Sequence, residues 1–280
     1  MTHLRTVALD SRGANASDRF PFTVPIIREL GTLSLDADVT FLVGENGSGK
    51  STLLEGLALA ARLPTVGSES SDRDKTLDAQ RRLAKALKLT WHQKTHRGFF
   101  LRAEDFFGFT KAIAKLRADM FEELARIEAE YKDRPSPARG LASMPALTTI
   151  HELERRYGVD LDENSHGQSF LKLFRSRFVP GGLYLLDEPE APLSPQSQLA
   201  LLVMIGDMVR QDAQFVIATH SPILLGFPNA VIYSCDHVPI ERVPFDELDH
   251  VVITRDFLNA PGRFLRHLTM GDGPAATDDS

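Results

Sequence analysis

The sequence predicts an α/β protein with a mostly parallel sheet that is flanked by helices and interrupted by a helical subdomain. The apolar run from Val39 to Val43 leads through a glycine-rich loop directly into a helical pattern, and short apolar strands alternate with helices from Gly182 to Cys235. Between these two stretches lies a long helical stripe of apolar residues. Continuous apolar strands that alternate with helices are typical of a parallel sheet buried on both faces.

The composition is that of a soluble globular protein. The chain has 280 residues, of which 42% are hydrophobic and 25% charged, and its formal net charge is −6. Its N-terminus lacks an apolar signal core, and its longest apolar run, Leu199 to Gly206, is far shorter than the roughly 20 residues of a transmembrane helix. The mild acidity argues against a protein that coats nucleic acid by bulk charge. A single cysteine, Cys235, favours a reducing compartment, so we expect a cytoplasmic protein.

The glycine-rich loop carries the clearest functional pattern. Gly44 to Ser51, GENGSGKS, matches GxxxxGK[ST] with a strand before it and a helix after it. Glycines let successive backbone N–H groups face one anion, and the helix start adds partial positive charge. In this pattern Lys50 reaches the β- and γ-phosphates of a nucleotide, while the Ser51 hydroxyl binds Mg²⁺. The predicted nucleotide-binding residues are Gly44, Glu45, Asn46, Gly47, Ser48, Gly49, Lys50, Ser51 and Thr52.

A pair of acidic residues follows a second buried strand. The apolar run Leu183 to Leu186 leads into Asp187 and Glu188. A carboxylate at the end of a buried strand beside a phosphate loop holds Mg²⁺ through water, which is the role predicted for Asp187. Glu188 is then the adjacent group able to polarise an attacking water. General base catalysis of this kind is typically worth about 10²- to 10⁴-fold in rate.

Two further segments complete a set of four ordered motifs. The segment Ser165 to Ser169, SHGQS, precedes a helical run, and His220 stands at the end of the predicted strand that begins at Gln214. With these motifs in order, the chain from about Val39 to Leu225 resembles the ABC-type ATPases. The resemblance implies a P-loop NTPase fold of the ABC ATPase type. It is most similar to soluble SMC/RecF-like proteins and stand-alone bacterial ATPases.

The resemblance assigns roles to the third and fourth motifs. Aligned with the family's LSGGQ signature, Asn164 to Gln168 keep the serine, the second glycine and the glutamine, but have Asn for Leu and His for the first Gly. Ser165, Gly167 and Gln168 are therefore expected to bind nucleotide. His220 corresponds to the family's switch histidine, which contacts the γ-phosphate as a hydrogen-bond donor.

A metal-binding glutamine of the family has no direct counterpart here. ABC proteins carry it between the two pairs of motifs, after a strand that corresponds to Gly98 to Ala103. In this chain Glu104 follows that strand, and the nearest glutamine, Gln93, precedes it. We assign Glu104 to the Mg²⁺ role. A glutamate can bind the metal, whereas its negative charge disfavours the family's usual contact with the γ-phosphate.

The middle of the chain is predicted to be helical. From Phe109 to Tyr131 apolar residues recur at four-three spacing, which predicts one long helix. Its stripe fits either the buried side of a helix in a compact subdomain or the stub of a coiled coil. The prolines between Asp133 and Pro145 predict that this helix ends in a loop there. The polar stretch Gly67 to Lys75 is predicted to be a surface loop.

Two segments near the motifs keep two interpretations each. Ser194 either caps the helix that begins at Pro195 and runs to about Arg210, or belongs to the family's D-loop, which corresponds to Glu190 to Pro195. Three basic residues after the signature form either a solvated face or a surface that nucleotide binding moves toward a partner such as DNA. These residues are Lys172, Arg175 and Arg177.

The resemblance also implies a division of the chain. Residues 1–103 form the N-terminal part of the ATPase core, 104–180 a helical subdomain with the signature, 181–268 the C-terminal part of the core, and 269–280 a flexible tail. The strand Leu4 to Leu9 is expected in the same sheet.

The function implied by the resemblance is ATP hydrolysis in a shared site. One copy holds MgATP and a second closes on the γ-phosphate, so ATP and Mg²⁺ are the expected cofactors and a homodimer on ATP binding is the expected assembly. Such a switch is expected to act in DNA repair, maintenance or defence, with DNA as one candidate partner. A membrane permease is not an expected partner. The alternatives are the ATP-binding subunit of a membrane transporter and a P-loop kinase that phosphorylates a small acceptor.

Overall fold

A computed structural model describes residues 2–10, 19–66, 78–157 and 166–266. The predicted loop from Gly67 to Lys75, the signature residue Ser165 and the predicted tail lie outside the described residues. Within the described ranges, every helix is too short or too polar to cross a membrane.

Strands and helices alternate through most of the chain. The strands are β1 (Leu4–Leu9), β2 (Thr32–Ser34), β3 (Val39–Val43), β4 (Leu87–Trp91), β5 (Gly98–Arg102), β6 (Leu183–Asp187), β7 (Gln214–Ala218), β8 (Val231–Ser234) and β9 (Glu241–Arg242). The helices are α1 (Pro25–Arg28), α2 (Lys50–Ala61), α3 (Asp78–Ala86), α4 (Ala103–Glu130), α5 (Ser136–Tyr157), α6 (His166–Arg177), α7 (Pro195–Val209), α8 (Pro222–Leu225), α9 (Asp249–Asn259) and α10 (Pro261–Phe264).

The central sheet confirms the predicted fold class. Its six strands lie in the order β5-β6-β7-β3-β8-β9, and all neighbours pair in parallel except β8 and β9. Every residue of β3, β6 and β7 is buried, as expected of a sheet covered on both faces. Ala218 of β7 is in register with both Leu42 of β3 and Asp187 of β6. The carboxyl ends of these strands therefore meet at one edge.

The prediction that β1 belongs to this sheet is wrong. β1 is the middle strand of a separate antiparallel sheet, β2-β1-β4, in which Val7 pairs with Leu33 and Leu89. The register of β1 on β4 shifts between Leu4 and Thr6, so the buried Leu4 and Val7 lie opposite Trp91 and Leu89, which share one face of β4. A strand with one buried face is typical of an antiparallel sheet. This mixed pattern distinguishes β1 from the fully buried strands of the central sheet.

One buried glutamine joins the two sheets. Gln214, at the start of β7, is fully buried, and its side-chain oxygen accepts hydrogen bonds from the N–H groups of His3 and Leu4 at 3.0 and 2.7 Å. Its amide nitrogen donates to the carbonyls of Leu4, Leu35 and Ala37 at 2.9, 2.6 and 3.2 Å. The side chain of Gln214 therefore connects the two sheets through direct hydrogen bonds to the backbone.

The helical insert is a pair of long helices. The predicted long helix is confirmed as α4, which has 28 residues and packs along the 22-residue α5. Arg117 on α4 forms an ion pair with Glu154 on α5 at 3.5 Å. The expected loop from Asp133 to Pro145 is wrong in extent, because α5 begins at Ser136 and contains Pro145. Pro137 stands in the first turn, where a missing N–H removes no helical hydrogen bond.

Aromatic packing fixes α6 on the central sheet. Rings from α6, from the segment after it and from β5, β6 and β7 contact one another at centroid distances of 4.6 to 6.2 Å. They belong to Phe99, Phe170, Phe174, Phe178, Tyr184 and Phe215. The Tyr184 hydroxyl also donates to the Val179 carbonyl at 2.8 Å. The helix that follows the signature is thus attached directly to the strand that carries Asp187.

The chain divides into two compact units, Met1–Arg242 and Val243–Ser280. The first contains both sheets and the helical pair. In the second, a 3-10 turn at Phe245–Glu247 precedes α9 and α10, and the rings of Phe257 and Phe264 contact each other at 5.8 Å between centroids.

Candidate functional site

The glycine-rich loop has the backbone that an anion site requires. Gly44, Gly47 and Gly49 have φ angles of 147°, 86° and 102°, a region that side chains rarely allow. At Gly49 a Cβ would also lie 2.6 Å from Cγ1 of Val24. Gly49 starts α2 with no side-chain cap, so the first N–H groups of this helix are available to a ligand.

Lys50 places its positive charge inside this loop. The residue is 4% exposed, and its Nζ donates hydrogen bonds to the carbonyls of Gly44 and Glu45 at 2.5 and 2.9 Å. A cation and several unpaired helix N–H groups are therefore concentrated within one turn of backbone. Such a site selects anions that carry several charges, and phosphate chains are the common biological example.

Asp187 lies at the end of β6 with one oxygen unused. The residue is 7% exposed; the Ser51 hydroxyl donates to its carboxylate, but Oδ1 has no partner among the described residues. Burial raises the pKa of this carboxyl to about 6, and the nearby charges of Glu188 and Glu55 act in the same direction. The Ser51 hydrogen bond and the positive charge of Arg102 oppose this shift. A cation beside Asp187 would therefore relieve an unfavourable local charge.

The oxygen atoms beside Asp187 fit a Mg²⁺ ion that takes only one or two ligands from the protein. No group of three or more His, Cys, Asp or Glu side chains suited to a metal occurs in the part of the chain that the structure describes. The hydroxyl of Ser51 and the unused oxygen of Asp187 are hard oxygen ligands. Mg²⁺ commonly takes one or two protein oxygens and completes its shell with water and phosphate.

Glu188 and His220 lie together beside the loop. Oε1 of Glu188 is 3.8 Å from Nε2 of His220, and both residues line a cavity of about 500 Å³ with Glu45 and Asn46. Glu188 has a φ of 50°, and its N–H donates to the Ala218 carbonyl at 2.9 Å. A non-glycine residue in this region costs of the order of 1 to 3 kcal/mol, and such strain concentrates at functional sites. The backbone thus turns the Glu188 side chain toward the cavity.

Several charged residues near the site were not found from the sequence. Arg102 is in register with Asp187 and forms a 2.6 Å ion pair with Glu55 of α2. Glu190 accepts a hydrogen bond from the His220 N–H at 2.7 Å. A charged residue that directly ends a buried strand, as Arg102 does, was the available signal. Glu104 is the second residue of α4, and its side chain lies outside what the structure describes, so its metal role stays a prediction.

The signature region is only partly described. Ser165 lies outside the described residues, whereas α6 begins at His166. A Cβ on Gly167 would lie 3.3 Å from the Pro192 carbonyl, so this glycine allows α6 to approach the segment before α7. Gln168 is exposed, and neither Gly167 nor Gln168 lines the cavity beside Glu188. Within one copy, the signature glycine and glutamine are therefore not brought to the phosphate loop.

Ser194 is a helix cap, as one of its two interpretations predicted. Its Oγ accepts a hydrogen bond from the Ser197 N–H at 3.2 Å, at the start of α7. Cys235 is a buried thiol.

Comparison with known families decides the assignment. A family described as "AAA domain, putative AbiEii toxin, Type IV TA system" matches residues 39–83 and 64–226, which is more than half of the chain. The chain belongs to this AAA domain family. The match spans the phosphate loop, Asp187, Glu188 and His220. Together with the described sheet, it confirms the resemblance to ABC-type P-loop ATPases.

Solved structures similar to this AAA domain protein include ABC cassettes and SMC heads. An ATP-binding cassette of an ABC transporter in its ADP conformation has 15% identity and a TM-score of 0.45, over 96% of this chain and 99% of that one. The Smc head domain bound to part of ScpA, from Pyrococcus furiosus, has 12% identity and a TM-score of 0.44, over 96% and 100%. An SMC head domain from Thermotoga maritima has 14% identity and a TM-score of 0.42, over 87% of this chain and 99% of that one. No curated protein matches the chain.

Proposed function

We propose that this protein hydrolyses ATP between two copies of itself and that the bound nucleotide switches the pair between closed and open states. The observation that carries the proposal is the unused buried oxygen of Asp187 beside Ser51, at the mouth of the loop that holds Lys50. This arrangement joins a polyanion site to a hard cation site. MgATP carries both a polyphosphate and a hard cation.

Each chemical role follows from where a side chain lies. The N–H groups of α2 and the Lys50 ammonium bind the phosphates, while Ser51 and Asp187 would hold Mg²⁺, which neutralises charge on the phosphate oxygens. Glu188 orients the attacking water and accepts its proton. His220, whose Nε2 has no hydrogen-bond partner among the described residues, donates to the γ-phosphate.

A second copy completes the site in this proposal. The cavity beside Glu188 is open, and the described signature residues Gly167 and Gln168 lie elsewhere in the same copy. A partner's Ser165, Gly167 and Gln168 would cover the γ-phosphate from the opposite side. Hydrogen bonds to charged groups contribute about 1.5 to 3 kcal/mol each, so a few could offset much of the entropy lost on pairing.

The decisive experiment uses Glu188→Gln. We expect this substitution to lower the turnover number at least about 100-fold, because an amide cannot accept the proton from water. We also expect the variant to form a stable dimer with MgATP, measured by light scattering after size exclusion. Exposed Glu128→Gln on α4 is the matched control and should behave as wild type. Wild-type hydrolysis in Glu188→Gln, or a monomer at saturating MgATP, would contradict the proposal.

The biological role that we propose is DNA maintenance or defence in the cytoplasm. The family's description names a toxin of a type IV toxin–antitoxin system, which supports the defence branch. We expect induced expression to arrest host growth, and Lys50→Ala to abolish the arrest because the phosphates lose their main cation. Repeating the sizing of Glu188→Gln with duplex DNA tests the maintenance branch. Co-purification with a permease would instead support a transporter subunit.

A further inference from the structure

A large cavity lies at the end of the central sheet opposite the phosphate loop. Its volume is about 890 Å³, and its walls come from segments that directly precede β1, β5, β6 and β7. These segments are His3, residues 93–97, Pro180 with Gly181, and Gln211 with Asp212. The strands of the sheet that contribute are parallel to β3, and five residues at about 3.3 Å each separate their two ends by about 16 Å. The cavity is therefore distinct from the proposed nucleotide site.

Hydrogen bonds hold the walls of this cavity in place. Thr95 is 8% exposed, and its hydroxyl donates to the Gly181 carbonyl at 3.0 Å and accepts from the Arg97 N–H at 3.1 Å. Nε2 of the buried His3 lies 2.8 Å from the Asp212 carbonyl oxygen. Three of the four wall segments are thus fixed through direct contacts. A preformed cavity of this kind is usual for small-molecule sites.

Cations outnumber anions among the described residues that line the cavity. Lys94 and Arg97 carry positive charges, whereas Asp212 supplies the one carboxylate. Within the described ranges neither Lys94 nor Arg97 forms an ion pair, and the Arg97 side chain donates one hydrogen bond, to the neutral Pro180 carbonyl at 3.3 Å. Both cationic side chains are exposed, as is His96. In a chain with a net charge of −6, this cavity is a local site of attraction for anions.

The charged groups restrict what kind of anion fits. Ammonium and guanidinium groups bind phosphate oxygens through charge-assisted hydrogen bonds. The Asp212 carboxylate repels phosphate and accepts hydrogen bonds from a ligand's O–H or N–H groups. Two cations in one concave cavity do not form the extended basic track that a nucleic-acid strand requires. The arrangement therefore favours a small ligand that carries both a phosphate and hydroxyl groups.

We propose that this cavity binds a small hydroxylated organic phosphate, of the sugar phosphate class, at a second ligand site. Lys94 and Arg97 hold the phosphate, and Asp212 accepts a hydrogen bond from a hydroxyl of the same ligand. The volume lies within the range of about 300 to 1,000 Å³ that is common for small-molecule pockets. This inference does not depend on the proposed nucleotide binding, because the two sites share no residue.

The first test measures the binding of three sugar phosphates by isothermal titration calorimetry. The probes are ribose 5-phosphate, glucose 6-phosphate and glycerol 3-phosphate. We expect Lys94→Ala and Arg97→Ala each to weaken the tightest probe about tenfold, because each removes a charged partner of the phosphate. Lys94→Arg keeps the charge and should stay within about threefold of wild type. Lys88→Ala is the matched control, because Lys88 is exposed on β4 outside the cavity, and it should leave the affinity unchanged.

Four outcomes of this test would overturn the proposal. The first is a wild type that binds none of the three probes. The second is an equal effect of Lys94→Ala and Lys88→Ala, which would indicate a loss of general surface charge. The third is a loss of binding in Lys50→Ala, which would place the probe in the phosphate loop. The fourth is a preference for duplex DNA that Lys94→Ala removes, which would replace the small ligand by a nucleic-acid strand.

The second test addresses the hydroxyl contact with Asp212→Asn. Asp212 has a φ of 61°, a conformation that Asn also adopts more readily than most residues, so the substitution preserves the backbone. Wild type should bind its tightest sugar phosphate about tenfold more strongly than inorganic phosphate, because the hydroxyl adds a charge-assisted hydrogen bond. Asp212→Asn should reduce this ratio, since that bond loses its charge while inorganic phosphate is no longer repelled. A wild type without the preference, or a variant that retains it in full, would refute the role of Asp212.

Discussion

At the level of single residues, the negative charge of Asp187 lowers the stability of the ligand-free protein but is needed for the proposed binding of Mg²⁺. Its pKa is raised from the ordinary 3.8 to about 6, chiefly by burial. The folded protein therefore binds this proton more tightly than the unfolded chain does. The stabilising contribution of this group is fully present below about pH 4 and is lost as the pH rises through about 6.

Asp187→Asn should accordingly stabilise the ligand-free protein at pH 8. We expect the free energy of unfolding to rise by at most about 3 kcal/mol, since each pKa unit corresponds to about 1.4 kcal/mol. The difference between variant and wild type should shrink as the pH falls toward 4. Urea unfolding at a series of pH values measures this difference. A variant that is less stable than wild type at pH 8 would show that the charged carboxylate is favourably bound.

MgATP should reverse the order of stability of wild type and Asp187→Asn. Because Mg²⁺ with ATP binds the ionised carboxylate, MgATP should raise the melting temperature of wild type and have little effect on Asp187→Asn. A thermal unfolding series with and without MgATP provides this measurement.

The residues of the site were predictable to different degrees. Lys50, Ser51, Asp187 and His220 lie at the loop and the strand ends where the sequence predicts them, because each follows a pattern that is local in sequence. Their chemical roles stay predictions. The pairing of Arg102 with Glu55 was not predictable in this way. It depends on the register between β5 and β6 and on the packing of α2, which bring distant segments of the chain together.

At the scale of elements, the junction of the two sheets depends on Gln214. Gln214→Leu removes both the donor and the acceptor, leaving the N–H groups of His3 and Leu4 and the carbonyl of Leu35 buried without these partners. We expect a loss of about 3 kcal/mol or more in the free energy of unfolding, because each buried unsatisfied group costs about 1 to 3 kcal/mol.

Gln211→Leu is a matched control for this prediction. Gln211 is exposed, and its side chain donates one hydrogen bond, to the Asp207 carbonyl at 3.0 Å. Gln211→Leu should change the free energy of unfolding by less than about 0.5 kcal/mol. Equal effects of the two substitutions in urea unfolding would show that the junction is not stabilised by the amide of Gln214.

A substitution at Gly167 can distinguish its packing role in α6 from its proposed role between subunits. Gly167→Ala places a Cβ 3.3 Å from the Pro192 carbonyl, while alanine favours a helix by up to about 1 kcal/mol. These effects oppose each other, so we expect monomer stability within about 1 kcal/mol of wild type. In the Glu188→Gln background, the same change should weaken the MgATP-dependent dimer measurably by light scattering. An unchanged dimer would restrict Gly167 to a packing role.

The elements that were predicted wrongly share a cause. β1 has strand character at the sequence level, but its sheet is decided by which strands pair with it, namely β2 and β4. The prolines predict a loop up to Pro145, but Pro137 stands in the first turn, where a helix tolerates proline, and α5 continues through Pro145. Partner choice and helix continuation are set by tertiary packing, which local patterns do not contain.

At the scale of the whole molecule, the proposed switch should be visible at the tip of the helical pair. Cys235 is buried, which raises the pKa of its thiol to about 12, so it should remain unlabelled by maleimide at neutral pH. Lys132→Cys, in the turn after α4, then gives one labelled site per copy. In Glu188→Gln with MgATP, spin labels at this site should report a single intersubunit distance.

ATP hydrolysis should remove the signal that reports this intersubunit distance. With ADP the copies separate in the proposed cycle, so the dipolar signal between spin labels should vanish. Its persistence with ADP would show that nucleotide state does not control the pairing.

The length of α4 has a mechanical consequence. Its 28 residues extend about 42 Å, and it begins directly after the strand that neighbours β6. A lever of that length converts a tilt of about 5° at its base into a travel of about 4 Å at its far end, given the 1.5 Å rise per residue. In the proposed cycle, a small tilt of α4 beside the phosphate site would therefore move its far end by several ångströms.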